Sequence, residues 1–152
     1  MNEKKFILRV CFLLFWLAAF AVVLIYSWFS YKIRIVPLGV STLATLGCSA
    51  CAFLIERESV KAWSTFRFIL PIGILIISVA LYDTEQEVLQ GIAFLSICIF
   101  GQPFRMPFDY LLQGGSAATS LSLLPMLLPW LLFLAAAIAG KCSKKEKEQS
   151  RG

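Results

Sequence analysis

Long uncharged apolar stretches alternate with short charged ones along this chain. A helix rises 1.5 Å per residue, so about 20 residues are needed to cross the roughly 30 Å apolar core of a bilayer. The first, second and last of the apolar stretches exceed that length, whereas the third needs its flank from Trp63 onward and the fourth is marginal. The stretches cover residues 10–31, 35–55, 68–82, 88–104 and 110–140.

The composition agrees with this pattern. Of the 152 residues, 59% are hydrophobic and 15% are charged, against roughly 45–50% and about 25% in soluble domains. We therefore predict an all-α fold: a helical integral membrane bundle of four to five membrane helices, with a short interfacial or re-entrant element before the last. One transmembrane domain is expected over residues 1–140, followed by a basic, disordered cytoplasmic tail over 141–152. The helices are predicted at about 6–31, 35–56, 63–82, 88–104 and 117–140.

The distribution of Lys and Arg bears on the number of crossings, because cytoplasmic loops carry an excess of both residues. Five crossings with the N-terminus inside place seven of them on each side, which leaves no bias. If residues 88–104 instead enter and leave on one side, eleven lie inside and three outside. We therefore expect four crossings, a cytoplasmic N-terminus and a location in a bacterial cytoplasmic (inner) membrane.

Two cysteines three residues apart stand within the second apolar stretch, in the sequence TLGCSACAF. Cys48 and Cys51 share one helix face, so they could bind a soft metal or form a strained disulfide. The pentapeptide GCSAC resembles the paired-cysteine helix of small bacterial mercury-uptake membrane proteins, which have four membrane helices. In that family the pair lies in the first helix and a second cysteine pair lies near the C-terminus. Here the pair is in the second stretch, and the tail has Cys142 alone.

The surroundings of the cysteines favour a different interpretation, which is close helix packing. Small residues repeat every four positions along two stripes of the second stretch, and such stripes let another helix approach closely. The same spacing recurs in the last stretch, so we expect the second and last helices to pack together. The predicted packing residues are Ser41, Ala44, Thr45, Gly47 and Ala52, with Ala136 and Gly140 in the last stretch.

Several chemistries find no support in the sequence. The chain has no histidine, and no spanning stretch has Asp, Glu or Arg in its middle, which argues against a proton relay, a voltage sensor or an ion-coupled carrier. No glycine-rich phosphate loop and no G-x-S-x-G motif is present. The net charge of +5 belongs to the flanks of the apolar stretches, so we expect contact with anionic lipid and no nucleic-acid partner. No catalytic residue and no cofactor is predicted.

The strongest polar candidate lies just before the last stretch, in the sequence GQPFRMPFDYLLQGG. Arg105 could bind a phosphate or carboxylate head group with Asp109 and Gln102 nearby. Alternatively, Arg105 and Asp109 form an ion pair four residues apart that anchors an interfacial helix.

The sequence therefore predicts a multi-pass membrane protein of non-enzymatic type, in an accessory, assembly or immunity-type role. Its expected partners are the lipid bilayer and another membrane protein or a second copy of itself, reached through helix–helix contacts. The alternative is a thiol-dependent soft-metal carrier or a membrane thiol oxidoreductase that uses Cys48 and Cys51.

Overall fold

Helices make up the whole of the regular structure in the described part of the chain. The computed structural model describes residues 3–29, 35–59, 65–82, 86–113 and 123–149. The predicted all-α fold is thereby confirmed. In chain order the elements are α1 (Glu3–Phe29), α2 (Ile35–Arg57), α3 (Phe66–Tyr82), α4 (Glu87–Ser96), a π-helical turn (Ile97–Gly101), α5 (Gln102–Gln113) and α6 (Leu123–Gln149).

Four helical segments in the described ranges are long and apolar enough to cross a membrane, as the predicted membrane bundle requires. Helix α3 is shorter, with 17 residues, and at 1.5 Å per residue it is about 25 Å long. The four segments are Glu3–Ile25, Ile35–Arg57, Glu87–Phe108 and Leu123–Glu146.

Helix α1 runs antiparallel to α2. Half-way along both helices, the Cys48 thiol lies 3.7 Å from the carbonyl oxygen of Phe12 and donates to it. Further along, Lys4 and Leu8 of α1 line one groove with Glu58, which directly follows α2. The start of α1 therefore lies beside the end of α2.

Helix α6 runs parallel to α2. Near the end of α2, Lys141 Nζ lies 3.5 Å from Glu56 Oε2. At their other ends both helices bond to the same segment, residues 100–103: Ser41 of α2 and Trp130 of α6 each donate a hydrogen bond to a carbonyl there. Helices α2 and α6 therefore pass side by side from this segment to the Glu56–Lys141 pair.

The start of α1 and the ends of α2 and α6 thus share one end of the bundle, which we call the basic end. Because α1 begins and α6 ends at this same end, the chain between them traverses the bundle an even number of times. The arrangement supports four crossings over five. Basic residues at this end include Lys4, Lys5, Arg57, Lys141 and Lys144.

Helix α3 ends and helix α6 begins at the end of the bundle opposite the basic end. Helix α3 begins near the basic end, where Thr65 Oγ1 donates to Glu56 Oε2 at 3.4 Å, and runs away from it. Helix α6 begins at that far end too. The re-entrant element expected from the charge distribution stays a prediction.

The boundaries within this segment differ from the prediction, which separated a helix over 88–104 from a short interfacial element. The two form one continuous helix joined by the π turn, whose bordering residues Ile97 and Gln102 both have right-handed helical φ and ψ. The N–H of Gln102 donates to the carbonyl of Ile97, five residues earlier. The wider turn directly precedes Pro103, whose missing N–H interrupts the ordinary bonding pattern of an α-helix.

Helix α6 also continues past the predicted end of the membrane domain. Residues 141–149, expected to be disordered, extend the helix to Gln149. Lys, Glu and Gln have good helix propensity, and Lys141 is held at the start of this extension by Glu56. A helix already formed by the preceding residues needs no new nucleus, so the extension is favoured.

Aromatic rings fill the centre of the bundle and join four of its helices. The Phe12 ring of α1 lies 6.0 Å from that of Phe68 in α3 and 5.8 Å from that of Phe133 in α6. The Phe104 ring of α5 lies 5.1 Å from Phe133 and 6.3 Å from Trp130. All four pairs meet edge to face, a geometry worth about 0.5–1.5 kcal/mol each beyond burial.

Candidate functional site

The small-residue stripe of α2 faces the protein's own bundle. Ala44, Cys48 and Ala52 are at most 2% exposed. A Cβ added at Gly47 would lie 2.8 Å from the ring of Phe15 in α1. The stripe is therefore covered by neighbouring helices of the same chain before any partner binds.

The expected pairing of the second and last helices is confirmed, since α2 and α6 form the most extensive helix contact. Gly140 makes the closest approach: a Cβ there would overlap the carbonyl oxygen of Phe53 and would lie 3.2 Å from the Arg57 nitrogen. Ala136, one turn earlier, is half-buried. A glycine is needed at position 140 because the two backbones nearly touch.

Both candidate cysteines are enclosed. Cys48 is fully buried, Cys51 is 6% exposed and both are free thiols. Across the described ranges, no group of three or more His, Cys, Asp or Glu side chains is placed to hold a metal ion. The structure thus offers the pair no third ligand from these residues.

Two prolines spaced four residues apart create a polar junction between α5 and α2. In an α-helix the carbonyl of Pro103 would accept from the N–H of residue 107, but Pro107 has no N–H to donate. Ser41, buried in α2, supplies the missing bond through its hydroxyl, with an Oγ–O distance of 2.8 Å. Thr45, one turn further along α2, bonds its own helix at the Ser41 carbonyl.

A side chain of α6 bonds to the π turn that precedes this junction. The indole Nε1 of Trp130 donates to the carbonyl of Phe100 at 2.8 Å. In the same turn Gly101 leaves room for Met126 of α6, whose sulfur would be 3.0 Å from an added Cβ. Hydrogen bonds from α2 and α6 thus hold residues 100–103 in place, and this segment sets where α5 lies.

The most deeply buried charge among the described residues was not singled out from the sequence. Glu56 is fully buried; its carboxylate pairs with Lys141 and accepts from Thr65. A signal was present, because Glu56 continues the four-residue repeat of Cys48 and Ala52, and a charge on a buried stripe requires a partner.

The polar cluster predicted before the last helix is only partly described. Gln102 and Arg105 are half-buried near the start of α5. The side chain of Asp109 lies outside the described residues, so its ion pair with Arg105 stays a prediction.

Helix α4 has one face that the bundle leaves open. Among the helices, α4 packs chiefly on α3, and the buried residue of α4 is Ala93. On the other side, positions i, i+3, i+4 and i+7 place Val88, Gly91, Ile92 and Leu95 on one stripe. Val88 is 76% exposed, and an added Cβ at Gly91 would meet nothing within 4 Å. We call these four residues the α4 outer face.

Comparison of the chain with protein-family models, curated proteins and solved structures finds no match.

Proposed function

We propose that this is a non-enzymatic multi-pass membrane protein in an accessory, assembly or immunity-type role, and that it acts through contact between the α4 outer face and a transmembrane helix of another protein. The observation that carries the proposal is the contrast between α2 and α4. The small-residue stripe of α2 at Ala44, Cys48 and Ala52 is buried inside the bundle, whereas Gly91 of α4 opens onto space.

Exposure of apolar side chains does not by itself indicate a partner, because lipid covers such faces. What the α4 outer face adds to simple apolar exposure is its shape. Gly91 forms a notch between Val88 and Leu95, into which the backbone of a second helix fits.

The thiol-dependent alternative has less support. Cys48 and Cys51 would have to reach a substrate or metal from inside the bundle, where Phe12 already accepts the Cys48 thiol hydrogen. A helix-contact role needs no such opening.

Site-specific photo-crosslinking in cells tests the proposal. A photoreactive residue placed at Ile92 should give a discrete adduct with one membrane protein, whereas the same residue at Leu43, 67% exposed on α2, should not. Introducing Gly91→Leu should abolish the adduct formed from a crosslinker at Val88, because the notch is filled.

Gly39→Leu is the matched control, since Gly39 is also exposed with nothing within 4 Å of an added Cβ. It should leave the adduct unchanged. Equal adducts from Ile92 and Leu43, or an adduct that survives Gly91→Leu, would contradict the proposal.

A further inference from the structure

An open groove of about 300 Å³ lies at the basic end, between the start of α1 and the end of α2. Lys4, Ile7 and Leu8 share one face of α1, at spacings of three and four residues. Leu54 and Glu58, four residues apart, form the facing wall. The groove therefore combines apolar walls with one cationic and one anionic side chain, at the basic end of the bundle.

The two charges are available for a ligand. Lys4 is exposed. Glu58 is half-buried, and its Oε2 is shielded from solvent without a hydrogen-bond donor from the described residues. A buried carboxylate oxygen without a donor is costly, and a hydrogen-bond donor supplied by a bound ligand would offset that cost.

We propose that this groove binds the head group of a phospholipid that carries a primary ammonium, such as phosphatidylethanolamine. The Lys4 ammonium faces the phosphodiester, and the lipid's own ammonium donates to the Glu58 carboxylate. Ile7, 57% exposed, and Leu54, 39% exposed, offer apolar surface to the start of the acyl chains. A volume near 300 Å³ is at the small end of ligand sites, which suits a head group.

A comparison of three lipids distinguishes specific binding in this groove from general electrostatic attraction of lipids to a basic surface. Phosphatidylcholine has a quaternary ammonium without N–H, and phosphatidylglycerol has no cation. The purified protein in mild detergent should bind phosphatidylethanolamine about tenfold more tightly than either, as measured by native mass spectrometry, because one charge-assisted hydrogen bond is worth about that factor.

Substitutions test which side chain of the groove contacts which group of the lipid. Glu58→Gln should reduce phosphatidylethanolamine binding to the level of phosphatidylcholine, and Lys4→Met should weaken all three lipids alike. Lys5→Met is the matched control and should change nothing, since Lys5 does not line the groove. The proposal would be overturned if the wild-type protein preferred phosphatidylglycerol, or if the Glu58→Gln variant kept the preference for phosphatidylethanolamine. The lipid comparison on wild-type protein remains a valid test even where a variant fails to fold.

Discussion

The hydroxyl of Ser41 donates to the backbone carbonyl of Pro103 across 2.8 Å, and this carbonyl is the one that Pro107 leaves without its helical donor. The bond joins α2 to the start of α5. Since lipid offers no hydrogen bond to a freed carbonyl, such groups in membrane helices must be satisfied by neighbouring side chains. Ser41 therefore holds the start of α5 in its place against α2.

Replacing Ser41 by alanine should destabilise the protein by about 0.5–2 kcal/mol, the range for interhelical hydrogen bonds and for a buried carbonyl left unsatisfied. Thermal or denaturant unfolding in detergent measures the loss. Ser49→Ala is the control, because Ser49 donates to the Thr45 carbonyl of its own helix.

The mechanism behind this loss can be separated from a packing effect by a double-mutant cycle. Pro107→Ala restores an N–H that can reach the Pro103 carbonyl, so the further loss from Ser41→Ala should shrink in that background. An undiminished loss would show that Ser41 acts through packing alone.

The sequence predicted the helices, the membrane setting and the contact of α2 with α6, because apolar length and small-residue spacing are local signals. It did not predict that α4 and α5 are one helix, since Pro103 and Pro107 read locally as interruptions. The π turn accommodates Pro103, and the donor on Ser41, 62 residues away, satisfies the carbonyl that Pro107 leaves free. Nor did it single out Glu56, whose burial depends on Lys141 in another helix.

Lys141→Met should destabilise the bundle by roughly 1–3 kcal/mol, because it removes a cation from the fully buried Glu56 carboxylate. The estimate lies below the 3–5 kcal/mol of a fully buried pair, since 26% of the Lys141 side chain is exposed and solvent screens it. Unfolding in detergent again gives the measurement.

A matched control and a double variant distinguish the effect of the lost charge on stability from the effect of the lost lysine side chain. Lys145→Met, at an exposed position of the same helix, should be neutral. Combining Lys141→Met with Glu56→Leu should recover part of the stability, as removal of both charges leaves no uncompensated carboxylate. A double variant less stable than Lys141→Met alone would refute this account.

Gly140→Ala should loosen the contact of α2 with α6, because the added methyl group overlaps the Phe53 carbonyl. Overpacking of this kind costs about 1–3 kcal/mol. Gly73→Ala in α3 is the control: nothing lies within 4 Å of its added Cβ, so it should be neutral or stabilise by about 0.5–1 kcal/mol through helix propensity. Equal unfolding midpoints for the two variants would contradict the close approach.

Enclosure of the cysteine pair predicts unequal thiol reactivity. In variants that each retain one cysteine, N-ethylmaleimide should modify Cys142, which is exposed, at least about 100-fold faster than Cys48, whose modification requires local opening of the bundle. Mass spectrometry over time gives both rates, and denaturant should remove the difference. Cys48→Ser should leave stability nearly unchanged, since a hydroxyl can also donate to the Phe12 carbonyl. Rapid labelling of Cys48 in the folded protein would instead favour the thiol-dependent function, because a reactive pair must be reachable from outside the bundle.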